Sequence, residues 1–92
     1  MKIERTQIEL GRTLITPGAQ QLLHPEDVLR CLGRHKFADW GDCGTEDWQE
    51  NNFALSRHLR IFSVYRDRNQ IKFWIITEAD RSATTILLPS EY

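Results

Sequence analysis

The sequence predicts a two-layer α+β fold, an antiparallel β-meander of three to four strands packed against two or three helices. Three observations lead there. From residue 60 onward apolar side chains recur at every second position in three short runs separated by turn-forming residues, the signature of a half-buried sheet. Between residues 17 and 59 they recur instead at three- and four-residue spacings, and each such stretch opens on a helix-start signal. Finally, 92 residues with 40% hydrophobic content have room for one core, so residues 1–92 are expected to form a single domain.

The first fifteen residues read as extended. Ile3, Ile8 and Leu10 stand among polar neighbours, Gly11 breaks the run, and Thr13-Leu14-Ile15 resumes it, giving one or two strands that join a sheet edge. Thr16-Pro17-Gly18 signals a helix start: threonine can cap free amides, and proline at the first helical position loses no hydrogen bond. A short helix over Pro17 to Leu23 follows. His24-Pro25-Glu26-Asp27 repeats the signal, with two carboxylates at the positive end of the helix dipole. Val28, Leu29, Cys31 and Leu32 form its apolar stripe, and Gly33 is the expected stop.

Residues 34–44 follow neither period and are expected to be a loop that exposes Phe37 and Trp40. The third helix opens at Thr45, whose hydroxyl is the expected cap, with Glu46 and Asp47 in its first turn. Trp48, Asn52, Leu55 and Leu59 share one of its faces, widened by Phe53. Then come the strand Arg60 to Arg66, a turn at Asp67 to Gln70, the strand Ile71 to Thr77, a turn at Ala79 to Ser82 and the strand Ala83 to Leu88, which Pro89 ends.

Composition narrows the function classes. Twelve Lys+Arg against thirteen Asp+Glu give a formal net charge of −1, which excludes nucleic-acid binding through a uniformly basic surface. The apolar content is too high for disorder and the length too small for a multidomain enzyme. Uninterrupted apolar runs such as Phe73 to Ile76 and Ile86 to Leu88 are too short for a membrane span or a signal-peptide core. Two cysteines, Cys31 and Cys43, are too few for a secreted disulfide scaffold, so the expected compartment is a reducing cytoplasm.

Near-neutrality conceals a division. Asp39, Asp42, Glu46, Asp47 and Glu50 fall in a stretch without a basic residue, and Arg57, Arg60, Arg66, Arg68 and Lys72 fall in one where only Asp67 opposes them. The functional reading is an acidic surface that meets a basic protein groove, anchored by Phe37 and Trp40, and a basic surface that meets RNA phosphates or an acidic partner. The plainer reading is that these charges solvate a helix start and a hairpin. Trp48 and Trp74, on a helix stripe and in a central strand, are expected in the core.

Three chemical constellations stand beside this division. Cys31, His35 and Cys43 with His24 or His58 are the only metal-like grouping, but they lack the paired ligand spacing of a structural zinc site, and neither a metal nor a cofactor is expected. Arg34, His35 and Asp39 hold the residue types of a small His-dependent nuclease or RNase-like toxin, with acid–base imidazole, orienting carboxylate and anion-stabilising guanidinium. Glu78, Asp80 and Arg81 with Ser82, Thr84 and Thr85 form another polar cluster, which ordinary turn and strand chemistry accounts for. No glycine-rich phosphate cradle or nucleophile elbow is present in the sequence.

Several segments carry a family resemblance: Leu14 to Leu23 (LITPGAQQLL), Arg34-His35, Asp39-Trp40-Gly41-Asp42, Glu46-Asp47 with Asn51, and above all Trp74 to Tyr92 (WIITEADRSATTILLPSEY). Together they resemble a family of small bacterial proteins known as plasmid-related proteins, some of which carry the description of a type I restriction endonuclease subunit M. The resemblance spans nearly the whole chain. It departs at two positions: members usually have glycine where this chain has Ala38, and glycine two residues before the arginine matching Arg60, where this chain has His58.

The resemblance implies a setting of plasmids, phages and integrated elements, and it carries over no catalytic residue. A methylase subunit is excluded, because 92 residues cannot hold a cofactor-binding α/β domain. Small proteins of such elements, with divided charge and no catalytic signature, look like inhibitors of host defence such as the anti-CRISPR proteins of phages. The expected function is thus a non-catalytic anti-defence inhibitor in the host cytoplasm. It would bind subunits of a CRISPR surveillance complex, with contact to guide RNA, and block target DNA.

Overall fold

A computed structural model describes residues 6–92. In chain order the elements are β1 (Arg12–Ile15), α1 (Pro17–Leu22), α2 (Pro25–Lys36), α3 (Thr45–Arg57), β2 (Ile61–Arg66), β3 (Lys72–Thr77), β4 (Ala83–Leu87) and a terminal 3₁₀ turn, Pro89–Glu91. The strands form one sheet in the order β1-β4-β3-β2. β2, β3 and β4 are the antiparallel meander the two-residue period predicts, with Val64 opposite Trp74 and Trp74 opposite Leu87. β1 differs: it pairs with β4 in parallel, Leu14 beside Thr85, so the sheet is mixed. The three helices, β2 and β3 lie between β1 and β4 in sequence, and that long return brings β4 alongside β1 in the same direction.

Ile3 lies outside the described residues. Ile8 and Leu10 precede β1 without joining it; Ile8 is buried against Trp40, Ala54 and Ile61, and its amide donates to the Lys36 carbonyl at 2.9 Å. α1 starts as expected, with the Thr16 hydroxyl accepting from the Ala19 amide and Pro17 at the first position.

α2 runs through Gly33 to Lys36, one turn past the expected stop. A helical glycine costs only about 1 kcal/mol relative to alanine, and the extra turn places His35 in the core. The helix ends where Ala38 turns left-handed at φ 65°. α3 opens at Thr45 as expected, but its cap is Gly44, with no side-chain cap bond. Its inward face is Asn51 and Ala54 with half-buried Trp48 and Leu55, so Asn52, Phe53 and Leu59 are exposed, a rotation away from the expected stripe.

α1 and α2 cover one face of the sheet: Ala19, Leu23, Val28 and Cys31 pack on Tyr65, Phe73, Ile75 and Ile86. A second cluster gathers Ile8, Trp40, Ala54 and Ile61 where α3 meets β2. The hairpin between β2 and β3 is tied to α2 by two carboxylates. Asp67 accepts from the Asn69 and Ile71 amides of its own turn and from the His24 amide that starts α2. Asp27, buried in the first turn of α2, takes three bonds of 2.8 to 3.0 Å from the Arg68 amide and guanidinium.

The free edge of β2 is closed by side chain and loop. The Asn51 amide accepts from the Phe62 N–H and donates to its carbonyl, as a neighbouring strand would. Val64 receives the Asp42 amide and donates to the Trp40 carbonyl. Gly41 makes this approach possible: its φ is 69°, and a Cβ there would collide with the Val64 carbonyl and the Tyr65 ring.

Candidate protein-binding surface

Asp47 stands one turn before Asn51 on the same face of α3, with Glu46 and Glu50 on the adjoining flank, and all three are exposed. Asp42 is exposed in the loop just before. Among the described residues these four carboxylates have no ion-pair partner. Glu46 and Asp47 gain from the dipole at the start of α3, whereas Glu46 and Glu50, four apart, repel each other by a few tenths of a kcal/mol. Asp39 stands apart from this group. Its carboxylate is clasped by the Arg34 guanidinium at 2.8 and 3.2 Å, which holds it below the usual carboxylate range.

The arginines do not gather. Arg68 is engaged by Asp27, with Glu26 at 3.8 Å, and so locks the hairpin to α2. Arg66 donates to the Gln70 carbonyl across the same turn. Arg57 lies over the Phe53 ring at 4.2 Å and Arg60 over the Tyr92 ring at 5.0 Å. A six-residue strand separates Arg60 from Arg66, roughly 20 Å at 3.3 Å per residue. These residues therefore sit at separate points around the molecule.

Trp40, expected as an exposed anchor, has 0% exposure. Its indole N–H donates to Asn52 at 2.9 Å, and its ring meets His35 and Trp48 edge-on. Phe37 is half-buried. Conversely Trp74, expected in the core, is only half-buried, because it lies on the sheet face opposite α1 and α2. There Phe62, Trp74 and Tyr92 form a chain of edge-to-face contacts at 4.9 and 5.5 Å. The Glu91 carboxylate positions Tyr92 by accepting from the Thr16 hydroxyl and the Gly18 and Leu88 amides.

Between these rings and α3 is a hollow of about 340 Å³ lined by Asp47, Glu50, Asn51, Arg60, Phe62, Trp74 and Tyr92. A neighbouring hollow of about 420 Å³ shares Glu50 and Arg60 with it and adds Glu46, Gln49, Phe53 and Leu59. Sequence reasoning missed Phe62, Trp74 and Tyr92. The signal was present in the alternation of β2 and β3, which separates Phe62 and Trp74 from the core-facing Phe73 and Ile75.

The residues considered for catalysis are arranged otherwise. His35 has no exposed surface. Its Nδ1 lies 2.5 Å from the Ser63 hydroxyl and its Nε2 2.8 Å from that of Thr77, which meets the Thr84 hydroxyl, itself a donor to the Leu10 carbonyl. Burial, with the nearby Arg81 charge, pushes the imidazole pKa down to about 3, so the ring is neutral. Arg34 and Asp39 meet each other outside this network. Cys31 is in the core and Cys43 is half-buried, its thiol donating to the Phe62 carbonyl, and burial raises both thiol pKa values. Among the described residues no three His, Cys, Asp or Glu side chains converge as metal ligands, and no helix is long and apolar enough to cross a membrane.

Comparisons with protein-family models, curated proteins and solved structures found no match.

Proposed function

We propose that this chain is a non-catalytic binding protein whose acidic α3 surface occupies a basic, nucleic-acid-binding site on another protein. One observation carries the reading: Asp42, Glu46, Asp47 and Glu50 have no ion-pair partner among the described residues, and two of them, Asp47 and Glu50, border the aromatic hollow. Unpaired carboxylates beside apolar rings favour a cationic protein surface by complementarity, and they repel the phosphates of bare nucleic acid. In the setting implied by the family resemblance, the partner is a nucleic-acid-guided surveillance complex. Its positively charged channel is where target DNA must enter. The protein acts there as an anti-defence inhibitor, of the anti-CRISPR kind, by competing with that DNA.

The test is charge reversal on a fold left intact. The variant with Glu46→Lys, Asp47→Lys and Glu50→Lys should lose capture of the surveillance complex from a host lysate while keeping the wild-type circular dichroism spectrum. Undiminished capture by this variant overturns the reading.

A further inference from the structure

The hollow between α3 and the open sheet face has a composition that selects its ligand. The three rings of Phe62, Trp74 and Tyr92 wall it, neighbouring pairs meeting at 76° and 72°. A ring face attracts a cation through its quadrupole, more strongly where water is excluded. Asp47 and Glu50 stand on its α3 side, neither in an ion pair among the described residues. The Asn51 amide is already committed to both backbone groups of Phe62. The charges left for a ligand on α3 are therefore acceptors.

Arg60 shows what the site accepts. Its guanidinium lies over the Tyr92 ring at 5.0 Å, yet it is in no ion pair with Asp47 or Glu50. Arg60 thus serves the Tyr92 ring and leaves both carboxylates without a cation among the described residues. Arg60 also borders the neighbouring hollow, which gives its side chain a place to move.

We infer that this hollow is a receptor for an arginine side chain of a partner protein, held between the Trp74 and Tyr92 rings and the Asp47 and Glu50 carboxylates, with Arg60 as the internal competitor it displaces. Arginine fits better than lysine because its planar guanidinium stacks on a ring while its edge donates to a carboxylate. An anion drawn to Arg60 would face both carboxylates. The inference rests on the binding-protein reading above and names the chemical group that this surface takes.

The test is a two-dimensional NMR titration of the wild-type chain with a capped Gly-Arg-Gly peptide, its lysine counterpart and, separately, inorganic phosphate. The indole signals provide internal controls, since Trp40 and Trp48 donate to Asn52 and to the Gly41 carbonyl inside the structure. The arginine peptide should shift the Trp74 indole signal saturably and leave those of Trp40 and Trp48 in place, with the lysine peptide at least threefold weaker. Asp47→Asn with Glu50→Gln should weaken the arginine peptide about tenfold, and Arg60→Ala should tighten it severalfold. Weaker binding by Arg60→Ala, a Trp74 shift with phosphate but not with peptide, or no shift with either overturns the inference. Peptide binding without capture of a surveillance complex refutes the functional reading alone; capture that survives loss of peptide binding refutes the pocket alone.

Discussion

His35 and Thr77, 42 residues apart, meet in the core with imidazole Nε2 2.8 Å from the threonine hydroxyl. A neutral ring satisfies both hydroxyl neighbours, donating through one nitrogen and accepting through the other, whereas a charged ring would have two donors and no solvent. Stability must therefore depend on pH. The folded-state pKa of about 3 lies below the ordinary imidazole value of 6.5, so between those values the unfolded chain binds a proton that the native chain refuses. Stability should fall as pH drops from 6.5 toward 3, by about 1.4 kcal/mol per pH unit once the unfolded histidine is protonated, and this term is flat above 6.5. Urea unfolding at pH 7, 6 and 5 checks it, because carboxylates held below their ordinary range, such as Asp39, lose their contribution only below about pH 4. His35→Leu should be less stable at pH 7 and lack most of the slope.

Arg81 is the other buried group on which the fold leans. Its guanidinium donates to the Leu59 carbonyl at 2.6 Å and the Ala54 carbonyl at 2.9 Å, satisfying the C-terminal end of α3 from the turn between β3 and β4. Arg81→Ala should cost about 2–4 kcal/mol in chemical denaturation. Arg81→Lys should recover less than half of that, since one ammonium cannot reach both carbonyls with the geometry of the fork.

Ala38 and His58, where members of the resembled family carry glycine, both have left-handed backbones, at φ 65° and 51°. Each ends a helix, and a side chain there is strained in a way glycine is not. Ala38→Gly and His58→Gly should each raise stability, by about 0.5–1 kcal/mol, through relief of that strain. A lower Tm for both variants would refute the strain argument.

Arg68 separates a structural from a binding role. It serves Asp27, whose carboxyl lies well below its ordinary range chiefly because of that guanidinium's hydrogen bonds. Arg68→Ala should lower Tm while leaving partner capture by the folded fraction unchanged. Arg66→Ala, which removes only a contact to the Gln70 carbonyl, should shift Tm much less.

The legible parts of this protein are those written in neighbouring residues. Alternation from Ile61 to Leu87 and the turns at Asp67 and Asp80 specify the meander, Thr16-Pro17 and His24-Pro25 start two helices, and the run from Asp42 to Glu50 places acids at the start of a third. The end of α2 was not legible: Gly33 looks like a stop, and only the hydroxyls of Ser63 and Thr77 explain why the helix continues to deliver His35. Nor was the exchange of roles between Trp40 and Trp74, since burial depends on which sheet face the helices cover.

By itself the sequence determined the α+β class, the strand and helix order and the acidity of α3, because periodicity, capping residues and local charge act within a few positions. Tertiary structure decided that β1 joins in parallel, that Arg68 is consumed by Asp27 across 41 positions, and that Phe62, Trp74 and Tyr92 make one wall beside Asp47 and Glu50. Those outcomes depend on which surfaces meet when the chain closes on itself. Burial, ion pairing and ring contact belong to pairs of distant segments, and no local pattern states which pairs will form.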